Sequence, residues 1–121
     1  MKSPLFAAAI LGLATSAQAQ KMTVIAPDYF GSEWGPGPAI KEGFEARCGT
    51  CTLNFRTGDV MSRLQLEGAR LDGDVVIGLN TDTTLRARET GLFVPHGQPL
   101  AALALPIDWA DDTFLPFNWG Y

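Results

Sequence analysis

Asp74-Val75-Val76-Ile77-Gly78 is a continuous apolar run closed by glycine, set directly behind the turn Leu71-Asp72-Gly73. An unbroken apolar run of this length suits a strand covered on both faces, the kind found in parallel sheets. The segments on either side agree. Upstream, Val60, Met61 and Leu64 make a helical stripe as far as Glu67, behind the turn Thr57-Gly58-Asp59, where Asp59 is an N-cap candidate. Residues 52–56 read as a short strand. Downstream, Asn80 to Asp82 opens a third, more polar helix that Gly91 closes. Nearer the start, residues 22–26 are β-rich and read as the first strand, and 28–37 read as loop. Pro38 suits the first turn of a helix over 38–47, where Ile40 and Phe44 share a face and Gly49 is the C-terminal cap. Residues 95–106 read as irregular. The order strand, helix, strand, helix, strand, helix predicts a doubly wound α/β lobe with right-handed crossovers.

In such a sheet the loops over 27–37, 57–60 and 79–82 leave the carboxyl ends of the strands and line one edge, with a binding crevice between them. The first of these holds Trp34-Gly35-Pro36-Gly37-Pro38. Two glycines and two prolines fix an unusual backbone path around one tryptophan. Trp34 is then either a ligand platform at a strand-to-helix junction or a cap on the core of the lobe, and residue types alone leave both readings open.

The first nineteen residues read as a secretory signal peptide: Lys2, a short apolar run over 5–13, and the small-x-small site Ala17-Gln18-Ala19. The run is too short to span a bilayer. The mature chain is expected to start near Gln20 and to be exported, most simply to a bacterial periplasm. About one hundred residues then remain, the size of one small domain. A net charge of −4 argues against nucleic-acid and anionic-membrane partners and mildly favours a cationic ligand. A hydrophobic content of 46% is enough for a packed core. The aromatic stretch over 113–121 reads as extended and suggests the amino-terminal piece of something longer. The alternative is an edge strand folded back on a complete small domain.

Trp34-Gly35-Pro36-Gly37-Pro38, Glu67-Gly68, Asp74-Val75-Val76-Ile77-Gly78-Leu79, and Asp112-Thr113-Phe114-Leu115-Pro116-Phe117 with Gly120-Tyr121 resemble, in order and spacing, the periplasmic thiamine-binding proteins of ABC importers. The Trp-Gly-Pro-Gly-Pro and Asp-Thr-Phe-x-Pro-Phe segments are specific to that family. The Asp-Val-Val-x-Gly strand is shared with iron- and polyamine-binding relatives. The resemblance implies the first lobe of a two-lobed, type II-like periplasmic binding protein, here truncated. Residues 20–113 would form lobe one, and 114–121 the start of a crossing strand towards a second lobe. It implies thiamine or its phosphates as ligand, an inner-membrane ABC permease as partner, and no cofactor. Trp34 matches a tryptophan that packs on ligand. Asp28 and Phe30 match a Tyr-Asp-Ser-Phe loop whose leading, stacking tyrosine is Pro27 here, with Tyr29 two positions on. Trp119 stands where a tyrosine is usual, and Tyr121 matches. The stretch from Cys51 to Glu67 is shorter than in the family.

Thiamine joins a thiazolium cation to a flat aminopyrimidine. Aromatic faces hold such rings, at about 0.5–2 kcal/mol each, and carboxylates add charge complementarity. Asp28, Tyr29, Trp34, Asp59 and Tyr121 are the candidate ligand-binding residues. For Asp28 and Asp59 the other reading is local backbone bonding as loop and cap residues. Phosphate groups would need backbone donors at a helix start, which Gly58-Asp59-Val60 supplies only if Asp59 faces away.

Cys48-Gly49-Thr50-Cys51 has the spacing of a thiol oxidoreductase, but a reactive pair opens a helix and this one closes it. A structural disulfide between Cys48 and Cys51, which the family often carries here, is the expectation, and so small a loop contributes about 2 kcal/mol. A zinc site would need two more ligands, and His96, read as an exposed loop residue, is the one on offer. With no nucleophile–base pair or phosphate loop, the sequence reads as a binding protein and not an enzyme.

Overall fold

The computed structural model describes residues 19–118. Tyr121 and, apart from Ala19, the expected leader lie outside the described residues. Strand β1 (Lys21–Ala26) is central, with its last four residues buried. It pairs in parallel with β2 (Thr52–Thr57) along its whole length, from Lys21↔Thr52 to Ala26↔Thr57. On its other side it pairs in parallel with β3 (Val75–Val76), giving the order β2-β1-β3. The helices are α1 (Asp28–Gly31), α2 (Gly37–Cys48), α3 (Val60–Glu67) and α4 (Thr81–Glu89). The chain leaves β1 towards β2, then returns past β1 to β3. Right-handed crossovers in opposite directions put their helices on opposite faces. Alternate residues of β1 therefore feed two cores. Val24 and Ala26 pack with Phe30, Leu53 and the half-buried Phe44 and Phe55 on the α1/α2 face. Ile25 packs with Val60, Leu64 and Ala87 on the α3/α4 face. Phe30, Ile25 and Leu64 are the largest fully buried side chains. Burying each contributes about 1.5–3 kcal/mol.

Side chains clip the helices to the sheet. Glu45 accepts from the Leu53 N–H at 2.8 Å, while Lys41 pairs with Glu45 and donates to the Leu53 carbonyl. Glu67 accepts from Arg56 of β2 at 3.0 Å and from Arg63 of α3 at 2.7 Å. Gly49, at φ 72°, closes α2 by donating to the Glu45 carbonyl, as its position in the sequence predicts. Cys48, the last residue of α2, and Cys51 are joined by a disulfide that spans that cap, with Cα atoms 5.4 Å apart.

Five sequence expectations change. Residues 28–31 are a one-turn helix and not loop: the Phe30 N–H reaches the Pro27 carbonyl at 3.0 Å, and burial of Phe30 holds the turn. The strand expected over 74–78 shrinks to Val75–Val76. Backbone bonds from Asp74 to Thr23 and from Ile77 to Ile25 flank it, and Gly78, at φ 94°, turns the chain away. Nor is the run covered on both faces, since α1 and α2 pack over β2 and leave Val75 39% exposed. Ile40 stays exposed while Phe44 alone carries the apolar contact of α2. His96 is half-buried, with Nδ1 accepting the Gln98 N–H at 2.8 Å and Nε2 donating to the Asp111 carbonyl at 3.1 Å. Residues 114–118 carry no helix or strand, and the expected crossing strand runs on into 119–121, outside the described residues.

Candidate functional site

The three loops at the carboxyl edge of the sheet meet in close contacts, two of which leave no room for a Cβ. The Gly58 N–H donates to the carbonyl of Ala26, the last residue of β1, at 3.1 Å. Gly31, at the end of α1, leaves no room for a Cβ beside Thr57, the last residue of β2: the added carbon would lie 2.6 Å from Thr57 Cγ2. Gly78 is packed just as tightly on the ring of Pro27. The edge is therefore closely packed, with the loop after β1 between the other two. The chain reverses its winding direction here, the usual location of a ligand crevice in an open α/β sheet.

Trp34 stands on this surface. The Gly35 N–H closes a turn onto the Ser32 carbonyl at 3.0 Å, and Ser32 Oγ donates to the Tyr29 carbonyl at 2.8 Å. Gly35 and Gly37 lie against the Tyr29 and Phe30 carbonyls so closely that neither can carry a side chain. The loop backbone is thus pinned on α1, and α1 is pinned by buried Phe30. The Trp34 ring projects outward, 92% exposed, so it plugs no core among the described residues. Tyr29 on the same loop is 64% exposed, and Asp28 and Glu33 are exposed beside them.

Asp59 is differently engaged. Its Oδ1 accepts the Ser62 N–H at 2.6 Å, capping α3. That hydrogen bond, with the nearby positive charge of Arg86, holds its carboxyl below the usual range. The start of α3 is consequently filled by a side chain and offers no free cradle to an anion. Asn80 and Thr83 close the start of α4 in the same way, through a reciprocal capping box. Tyr121 falls outside the described residues, so the site gathers Asp28, Tyr29 and Trp34 in one loop, with Asp59 on the neighbouring one.

Two depressions in the surface lie elsewhere. One, of about 690 Å³, lies at the opposite end of the strands beside Lys21, Met22, Phe44 and Asp74. The other follows α2 past Ile40, Phe44 and Arg47. Both are shallow, and neither gathers an exposed aromatic and a carboxylate as the carboxyl edge does. No group of three metal-ligating side chains occurs among the described residues.

Sequence reasoning missed the interlock through Gly31 and Gly78 and the field of Arg86 on Asp59. The first had a visible signal, a glycine directly after a short apolar or aromatic run at each strand exit. The second had none, because it depends on how α4 docks.

The chain is thus a small parallel α/β lobe with an exposed aromatic loop at the carboxyl edge of its sheet. Comparison with known proteins is more specific. Over most of its length the chain is homologous to thiamine-binding periplasmic proteins. It is 43% identical over 118 residues to that of Brucella abortus, covering 93% of this chain and 35% of the relative. The protein of Haemophilus influenzae is 39% identical, covering 99% and 38%. The protein of Escherichia coli is 39% identical, covering 83% and 32%. Among solved structures, a periplasmic thiamin binding protein superposes with a TM-score of 0.76 at 38% identity, over 84% of this chain and 33% of that one. The chain spans about a third of the length of the curated relatives it matches. No protein-family profile matches the chain.

Proposed function

We propose that this chain supplies a thiamine-facing lobe of a periplasmic substrate-binding protein that delivers its ligand to an inner-membrane ABC importer. The observation that carries the reading is Trp34, an indole 92% exposed on a loop packed tightly against α1. A large apolar ring fully in water has no stabilising role in the lobe itself; it is suited to receive a flat partner. A thiazolium or aminopyrimidine ring stacked on Trp34, with Tyr29 beside it and Asp28 supplying negative charge, matches the chemistry of thiamine. The names of the relatives support the same ligand.

Asp28, Tyr29 and Trp34 carry the contact in this reading. Asp59 contributes mainly by shaping the loop, since its oxygen is committed to α3. The starts of α3 and α4 are already capped by side chains, while α2, which opens in the Trp34 loop, has no side-chain cap, so the reading covers thiamine or its phosphates. The protein acts by binding and not by catalysis. Export through residues 1–19 to the periplasm fits a disulfide, which persists in oxidising compartments. Residues 20–113 make the lobe, and 114–121 lead out of it. One face of a two-faced site binds weakly, with Kd on the order of millimolar.

The test is a set of parallel titrations of the chain with thiamine, ferric iron and a polyamine. Saturable thiamine binding with no competition from the other two supports the reading. Tighter binding of ferric iron or polyamine would move the chain to a neighbouring class of binding protein.

A further inference from the structure

Residues 109–118 contain no helix or strand, yet hydrogen bonds fix the part from Trp109 to Phe114 closely. Arg88 of α4 donates to Asp111 Oδ2 at 2.7 Å and to Thr113 Oγ1 at 3.3 Å, and its guanidinium carbon lies 5.0 Å from the centre of the Phe114 ring. The other oxygen of Asp111 accepts the Thr113 and Phe114 N–H groups at 2.9 and 3.0 Å. The Trp109 indole N–H reaches the Phe114 carbonyl at 2.8 Å. From the opposite side, the His96 N–H donates to the Asp112 carbonyl at 2.8 Å. Asp111 to Phe114 are held in this way, four residues in a row, with Trp109 tied to the last of them.

Beyond that turn the chain changes faces. Phe114 packs on Phe93, with ring centres 5.1 Å apart, in the core beneath α3 and α4. Three residues later Phe117 meets Phe30 edge-on at 5.8 Å, and Phe30 fills the core beneath α1 and α2. The segment thus links the two cores. Helix α1 is the element most in need of such support. It has four residues and no side-chain cap, and a single turn does not persist without tertiary contacts. Its hold is Phe30, whose ring is flanked by Phe55 at 5.6 Å and by Phe117.

We propose that residues 109–118 act as a strap, buckled by Arg88 and Asp111, that braces α1 through the Phe117–Phe30 contact. Its consequence for the ligand, the positioning of Asp28 and Tyr29, rests on the thiamine reading above; the bracing itself does not.

Hydrogen exchange on the whole chain, without ligand, tests it. In Phe117→Ala the amides of Phe30 and Gly35 should exchange about three- to tenfold faster, the factor that losing one edge-on aromatic pair implies. Those of 60–67 and 109–113 should keep their rates. In Arg88→Ala both 109–118 and the α1 amides should speed up while 60–67 stays slow. Unchanged α1 rates in Phe117→Ala would overturn the proposal, as would a uniform rise over all segments. Phe117 is 61% exposed, so Phe117→Ala decides the matter even if Arg88→Ala does not fold.

Discussion

A Cβ on Gly35 would stand 2.6 Å from the carbonyl oxygen of Phe30, closer than real side chains come to backbone. The Tyr29 carbonyl blocks the same position, and neither oxygen belongs to a flexible group. The loop that presents Trp34 therefore exists in this shape only because residue 35 has no side chain.

Gly35→Ala should lower stability by several times the usual backbone penalty, on the order of 2–4 kcal/mol, since the loop must lift from α1. Gly43→Ala serves as the control: nothing lies within 4 Å of a Cβ there, so it should be neutral to stabilising by up to about 1 kcal/mol. Thermal melts of the two variants make the comparison.

Asp59 separates capping from ligand contact. Asp59→Ala should cost about 0.5–2 kcal/mol by removing the bond to the Ser62 N–H. Asp59→Asn keeps an acceptor and should stay near wild-type stability. If the residue acts mainly as a cap, Asp59→Asn also leaves thiamine binding within about twofold, a change under roughly 0.5 kcal/mol. A tenfold loss would make its charge a ligand contact.

Acid should unfold the protein through four carboxylates. Glu45 lies below the ordinary 4.5, held down by Lys41 and the Leu53 N–H. For Glu67, burial acts upward but Arg63 and Arg56 outweigh it. Asp59 and Asp111 lie below the ordinary 3.8: Asp59 through its bond to Ser62, and Asp111 because the Phe114 and Thr113 N–H groups and Arg88 overcome its burial. Each group binds fewer protons folded than unfolded near pH 4, so its contribution is complete above the ordinary values and is lost as pH falls through the lower folded ones. Denaturant midpoints should be flat from neutrality to about pH 5 and fall below about pH 4. A midpoint that rises on acidification from pH 5 would contradict these assignments.

The disulfide is expected to be structural. Cys48→Ser with Cys51→Ser should cost about 2 kcal/mol or less, as suits so short a loop. The oxidised chain should not turn over in an insulin-reduction assay; activity comparable to a thioredoxin would revive a redox role.

Much of the lobe was legible because its signals are local. Asp59 before the Val60, Met61 and Leu64 stripe, Gly49 after α2, and Asn80 with Gly91 around α4 all mark boundaries through backbone chemistry that operates within a few residues. What failed depended on neighbours far away in sequence. The apolar run at 74–78 reads as a doubly covered strand, but its cover is decided by where α1 and α2 settle. The one-turn helix at 28–31 lacks a side-chain cap and persists through the burial of Phe30, a tertiary fact. The position of Trp34 at the edge followed from strand order and loop composition. Its projection into solvent did not, because that depends on the close approach of Gly35 to α1.

The central claim is that the exposed Trp34 platform receives the ligand. The most direct measurement is a thiamine titration of the isotope-labelled chain, followed at the Trp34 indole N–H, in parallel with Trp34→Ala by calorimetry. The account predicts a saturable shift of the Trp34 and Tyr29 signals, with Kd on the order of millimolar, and a loss of at least about 1 kcal/mol in Trp34→Ala. A ligand-dependent shift confined to other residues, or an unchanged Kd in Trp34→Ala, would contradict it.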